Sequence, residues 1–284
     1  MRTPERVRLE TLLGTGVEKV HDLGSSHSWT LHRASLADGR EVFVKAAQDP
    51  AGVFAAEAAG LRWLGEAGPG TPVPEVVAAD EHMLVLPWLH SAPPSREAAE
   101  RLGRELAALH TGNRPDVYGA PWDGFIADLP LDNTPDDRSW PAWYAERRLE
   151  PFLRLGARHL SSGDVRLVER VMADIETLAG PPEPPSRIHG DLWSGNVLWT
   201  GERALLIDPA AHGGHRETDL AMMALFGAPH LDAVFGAYDE AAPLADGWRS
   251  RVPLHQLHPL LVHVALFGGS YRASLVEAAR ASLG

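Results

Sequence analysis

The stretch Ile188-His189-Gly190-Asp191-Leu192-Trp193-Ser194-Gly195-Asn196-Val197-Leu198-Trp199, with Leu205-Leu206-Ile207-Asp208-Pro209 shortly after it, constrains this chain more than any other. Two short apolar runs, Asn196–Trp199 and Ala204–Ile207, flank a turn containing Gly201 and read as a hairpin. Asp191 stands before the first run, Asp208 after the second, and Asn196 where the loop enters the strand. Such a hairpin gathers the three oxygen ligands at one end of a sheet. Phosphoryl transfer needs that set: one carboxylate takes the proton of an acceptor hydroxyl, while an amide and a second carboxylate hold Mg²⁺ on the phosphates.

The spacing His-x-Asp-x-x-x-x-Asn is that of the kinase catalytic loop, filled here by His189, Asp191 and Asn196. Asp208 falls where the second metal-binding carboxylate belongs. As mere turn formers these residues would have no reason to match the pattern together.

At 284 residues the chain suffices for one large domain or two small lobes. Its net charge of −12 disfavours nucleic acid as a partner and suits a neutral or cationic substrate. There is no cysteine, which excludes disulfides and thiol catalysis. Residues 1–6 have no apolar run after their charges, so no signal peptide is expected. The apolar run Leu260–Phe267 is interrupted by His263 and falls short of the about 20 residues a membrane span needs. The expected location is the cytoplasm, with no membrane partner.

Residues 1–20 read loosely as a helix. Gly24-Ser25-Ser26-His27-Ser28-Trp29 then separates two strand-like stretches. Its small residues suit a loop whose backbone N–H groups approach phosphates, with Ser25 and Ser26 as candidates, although a serine-rich turn reads the same. Asp38-Gly39 is a hairpin turn leading into Glu41–Lys45, a strand ending in lysine. Residues 51–65 carry Phe54, Ala58, Leu61 and Leu64 on one helical face, with Glu57 inside that stripe. A carboxylate on a buried face needs a partner, because unpaired charge in low dielectric is costly. Lys45 is the candidate: a strand Lys paired with a helix Glu is the clamp on the α- and β-phosphates of ATP in kinases.

Met83–Leu86 is an apolar strand followed by Pro87-Trp88-Leu89. In a two-lobed kinase this is the last small-lobe strand and the hinge, where backbone groups near Leu86 and Leu89 meet adenine. Pro87 has no N–H to offer. Ser91–Ser95 reads as the lobe boundary, giving a nucleotide-binding lobe over residues 1–89 and a catalytic, acceptor-binding lobe over 90–284.

Ser95 can cap a helix over Arg96–His110. Residues 111–142 are loop-rich, and a loop of that length in a compact protein is functional or disordered; Trp122 and Phe125 indicate that it is packed. Trp140–Leu155 and Asp164–Leu178 read as helices, and Glu146-Arg147-Arg148 as a solvated or structurally paired face. His212, His215 and Asp219 have the look of a zinc set, but zinc leaves the hairpin acids unexplained. Leu254, Leu257, Leu261 and Val264 mark a helix that Pro259 can kink.

With these residues in place, the chain resembles the fructosamine/ketosamine kinase family, within the aminoglycoside-phosphotransferase-like group. The match rests on His189-Gly190-Asp191-Leu192-Trp193-Ser194-Gly195-Asn196, on Ile207-Asp208-Pro209-Ala210, and on Gly214-His215-Arg216-Glu217-Thr218-Asp219-Leu220-Ala221-Met222. Glu146-Arg147-Arg148-Leu149, Tyr238-Asp239 and Leu266-Phe267-Gly268-Gly269 extend it over nearly the whole chain. The resemblance implies an α+β, two-lobed protein-kinase-like fold. A small N-terminal β-sheet lobe would carry one main helix, and a larger, mainly helical C-terminal lobe would carry the catalytic β-hairpin.

The resemblance also implies ATP- and Mg²⁺-dependent phosphorylation of a sugar hydroxyl on a ketosamine, a fructosamine or ribulosamine adduct that is small or protein-linked, in a deglycation role. By it Asp191 is the base, Asn196 and Asp208 are the Mg²⁺ ligands, and Lys45 with Glu57 is the phosphate clamp. Trp193, His215, Glu217 and Asp219 become candidates for the sugar site. The chain departs from the pattern in its single-glycine phosphate loop and in Ala211-His212-Gly213, where many members are more aromatic. An aminoglycoside, choline or other amino-alcohol kinase of the same fold is the alternative enzyme. A nucleotide-binding pseudokinase is the alternative module, and retention of Lys45, Glu57, Asp191, Asn196 and Asp208 together argues against it.

Overall fold

Alternating side chains in the N-terminal third give a sheet that is covered on both faces. In the computed structural model, which describes residues 1–26, 28–48 and 52–284, helix α1 (Thr3–Leu13) precedes strands β1 (Val17–Ser26), β2 (Trp29–Leu36) and β3 (Glu41–Ala46). Helix α2 (Val53–Gly65) then leads to β4 (Ala78–Asp80) and β5 (Met83–Pro87), and the sheet is antiparallel in the order β1-β2-β3-β5-β4. Leu36, Val42, Val44, Met83 and Val85 pack on the α1 side with Leu9, whereas Leu84 and Leu86 meet Phe54, Ala58 and Leu61 of α2.

The helix expected over residues 1–20 stops at Leu13, and Val17–Val20 already belong to β1. In α1 only Glu5 and Leu9 are buried, so no apolar stripe marks its end. His27 of the expected phosphate loop and Ala51 at the expected start of α2 lie outside the described residues.

Ser95 caps α3 (Arg96–Thr111), its hydroxyl accepting from Ala98 N at 3.1 Å. The following loop is not featureless: it holds a small hairpin, β6 (Gly124–Ile126) and β7 (Leu129–Leu131). The helix expected over Trp140–Leu155 is broken into α4 (Trp140–Tyr144), a π turn (Ala145–Leu149) and α5 (Glu150–Gly156). Pro151 lacks the N–H that would bond the Arg147 carbonyl, and Arg148 Nη1 donates to that oxygen instead, at 3.1 Å.

After α6 (Ser162–Leu178) come β8 (Ser186–Ile188), the hairpin of β9 (Val197–Trp199) and β10 (Ala204–Leu206), and β11 (His212–Gly214). β9 pairs with β10 and β8 with β11, both antiparallel. Helices α7 (Glu217–Phe226), α8 (Leu231–Ala241), α9 (Trp248–Phe267) and α10 (Arg272–Leu283) complete the large lobe. Leu254, Leu257 and Leu261 of α9 pack with Trp143, Phe152 and Val168 in its core. α9 runs through Pro259, and the Tyr144 hydroxyl donates at 3.1 Å to the His255 carbonyl that Pro259 leaves without a helical donor. No helix among the described residues is long and apolar enough to cross a membrane.

Candidate active site

The loop between β8 and β9 is fixed by its backbone. Buried Asp219, near the start of α7, accepts His189 N at 2.7 Å on one oxygen and Gly190 N at 2.9 Å on the other. Asp219 also meets His110 Nε2 at 3.1 Å, and His110 Nδ1 meets the Tyr238 hydroxyl at 2.9 Å. His189 lies 2.9 Å through Nε2 from the Ile207 carbonyl, while its Nδ1 accepts Asp191 N at 3.3 Å, which sets the neutral tautomer protonated on Nε2. Gly190 has φ +81°, and a Cβ there would run into the Ala210 carbonyl, so no other residue fits without strain.

This frame brings the three expected oxygen ligands together. Asn196 Nδ2 donates to the Asp191 carbonyl at 2.8 Å, to Asp191 Oδ2 at 3.0 Å and to the Asp208 carbonyl at 3.5 Å. Asp208 has φ +56°, a backbone bend that turns the chain immediately after β10. Desolvation pushes the Asp191 carboxyl up to about 7; the Asn196 hydrogen bond opposes this, and the charges of Asp208 and Asp219 add to it.

Lys45, at the end of β3, is buried with Glu57 of α2. Its Nζ donates to Glu57 at 2.9 and 3.0 Å and to Asp208 Oδ1 at 2.6 Å, so the sheet is tied to the hairpin. Burial works against the Lys45 ammonium, but the charges of Glu57 and Asp208 overcome it and hold its pKa above the usual lysine value. Beside Asp191, the Asp208 carboxylate and the Asn196 carbonyl form an all-oxygen donor pair, and the amide's carbonyl has no protein donor among the described residues. That chemistry fits Mg²⁺, a hard cation.

These groups open on a cavity of about 440 Å³. Ser26, Trp29, Lys45 and Glu57 line it from the small lobe, and Asp191, Trp193, Asn196 and Asp208 from the hairpin. Trp193 is exposed and lies over Gly195, where a Cβ would enter its ring. Ser25, Leu86 and Leu89 do not line the cavity: Leu86 packs between β5 and α2, and Leu89 is half-buried outside it.

His215, Glu217 and Asp219 do not line the cavity either; all three are buried beneath it. Asp219 orients the loop, and Glu217 takes the Arg251 guanidinium at 2.6 and 3.0 Å. Ligand atoms of His215, Glu217 and His255 fall within 4.8 Å of one another, but Arg251 already supplies the cation that Glu217 balances. The far wall went unread in the sequence: Trp122 and Phe125 near the β6–β7 hairpin, Phe226, and His263, Phe267 and Tyr271 at the end of α9. The signals for it were the length of the loop 111–142 and its aromatics Trp122 and Phe125, which showed packing but not a cavity.

A sheet, a catalytic hairpin and the acids between them have the form of a phosphotransferase with a protein-kinase-like fold. A thermostable mutant of aminoglycoside phosphotransferase APH(4)-Ia superposes with a TM-score of 0.67 over 98% of this chain and 99% of that one, at 15% identity. The chain belongs to the fructosamine kinase family, whose model matches residues 10–283. It is therefore a kinase, an ATP-dependent phosphotransferase. The probable ketoamine kinase TTHA1179 of Thermus thermophilus is 36% identical over 240 residues, covering 84% of this chain and 86% of that protein. A crystal structure of a candidate fructosamine-3-kinase from Thermobifida fusca is 56% identical, with a TM-score of 0.94 over 98% of each chain.

Proposed function

We propose that the protein transfers the γ-phosphoryl group of ATP to a sugar hydroxyl of a ketosamine, a fructosamine or ribulosamine adduct, small or protein-linked, in a deglycation role. The observation that carries this is the convergence of Lys45, Asp191, Asn196 and Asp208 on one cavity in a chain of the fructosamine kinase family. Asp191 accepts the hydroxyl proton, and its raised pKa suits a base near neutral pH. Lys45, held by Glu57, neutralises phosphate charge. Asn196 and Asp208 would hold Mg²⁺, which when bound offsets charge on the phosphates. Trp193 borders the acceptor end.

That end supports one amine better than several. Among the described residues the cavity's acids are Glu57, Asp191 and Asp208, all at the phosphate end, while Trp122, Phe125, Phe226, Phe267 and Tyr271 wall the rest. A polycationic aminoglycoside would find no further carboxylate there. The lobe division between Leu89 and His90 belongs to the same proposal: Trp88 N bonds Glu41 O of the sheet at 2.9 Å, and Ala92 N bonds Trp199 O of the hairpin at 2.8 Å.

ADP release measured with Mg·ATP and fructosyl-lysine, ribulosyl-lysine, choline or kanamycin tests the reading. Release that depends on a ketosamine is expected. Turnover of choline or kanamycin with neither ketosamine active would overturn it.

A further inference from the structure

Among the described residues four arginines are buried: Arg148, Arg187, Arg216 and Arg251. The last three pair with Glu66, Glu183 and Glu217, whereas no carboxylate among the described residues lies within ion-pairing distance of Arg148. A guanidinium kept in the interior against neutral partners is costly, so what it holds is informative. Burial pushes it down to about 9.

Arg148 Nη1 donates to the Asp132 carbonyl at 2.7 Å and Nη2 to Asn133 Oδ1 at 2.6 Å, with the fork lying 4.3 Å over the Trp143 ring. Both acceptors directly follow β7. Asn133 passes the constraint on: its carbonyl accepts Ala120 N at 2.8 Å, four residues before β6, and its side-chain amide lies so close to Gly124 of β6 that a Cβ there would strike it. Both strands of the hairpin thus rest on one planar fork. Near the tip of the hairpin, Phe125 and Ile126 line the cavity, and Phe125 lies against Gly52 just before α2.

We propose that Arg148 is a positioning residue for the acceptor: through Asp132 and Asn133 it holds the Gly124–Leu131 hairpin, and with it Phe125, at the width the acceptor requires. Arg148 is not among the residues that line the cavity. Lysine cannot replace it, since an ammonium does not present two parallel donors in a plane.

This inference rests on the ketosamine reading for its kinetics, so the test has a second arm that does not. In hydrogen exchange of the full chain, Arg148→Met should exchange the amides of 124–131 about tenfold faster or more, with those of β1 unchanged. With fructosyl-lysine and ribulosyl-lysine, the acceptor KM should rise about tenfold or more while kcat and the KM for Mg·ATP change far less. Arg148→Lys should not rescue, Asn133→Ala should reproduce the effect, and the double variant should add little. Unchanged exchange in the hairpin overturns the inference whatever the acceptor is, and so does an equal rise in both KM values. If Arg148→Met fails to fold, Asn133→Ala carries both arms. Faster exchange in a protein whose wild type ignores ketosamines removes the acceptor reading and leaves the anchoring standing.

Discussion

Glu217 is held between Arg251 and His255 in the interior, and its carboxylate carries a pH dependence. Desolvation alone would raise its pKa, but the His255 ring 3.3 Å away and the hydrogen-bonded Arg251 guanidinium outweigh it and hold the carboxyl down to about 2. A carboxylate depressed in the folded state stabilises above its unfolded pKa and loses that contribution as pH falls through the folded value. Glu217→Gln should therefore cost about 3 kcal/mol at neutral pH, by leaving Arg251 poorly paired. In urea unfolding, the deficit should narrow as pH drops from 4.5 toward 2, because the unfolded wild-type chain then binds a proton at Glu217 that the folded chain does not. A deficit independent of pH would contradict this role. At this scale the convergence of Asp191, Asn196 and Asp208 was legible, since they stand at a fixed spacing on either side of a hairpin. The work of Asp219 was not, because it acts on backbone N–H groups about thirty positions earlier, and only the folded chain shows which acid faces them.

Helix α9 continues through Pro259 because α4 makes good the lost bond. The Tyr144 hydroxyl donates to the His255 carbonyl at 3.1 Å and accepts His258 N at 3.1 Å. Tyr144→Phe leaves both groups unsatisfied in a buried position, which should cost about 1–3 kcal/mol in urea unfolding. A loss well under that range would mean that α9 holds its own course. The apolar stripe and Ser95 cap let α3 be read directly, whereas α6 was legible by its stripe alone and starts at Ser162, two residues before the expected Asp164, with Ser161 as its cap. The π turn could not be read, since it depends on Arg148 taking the Arg147 carbonyl that Pro151 cannot bond. Nor could β11, where His212-Gly213-Gly214 has no strand pattern and pairs with β8 only because the tertiary frame places it there.

At the scale of the molecule, the two ends of one cavity, proposed to take the phosphates and the acceptor, come from different parts of the chain. Lys45 and Glu57 reach it from the sheet lobe, Asp191, Asn196 and Asp208 from the hairpin, and Phe267 and Tyr271 from the last helices. The two-lobed fold and the hairpin followed from motif order, but the aromatic wall of the cavity is assembled from segments whose local patterns say only loop and helix. The chemistry is assigned to Asp191, and one variant tests it most directly. The turnover number of Asp191→Asn should be measured beside its dissociation constant for Mg·ATP. Loss of the positioned base should lower kcat by about 10²–10⁴ while nucleotide affinity stays near that of the wild type. Undiminished turnover in Asp191→Asn would contradict the assignment of the base and the mechanism built on it.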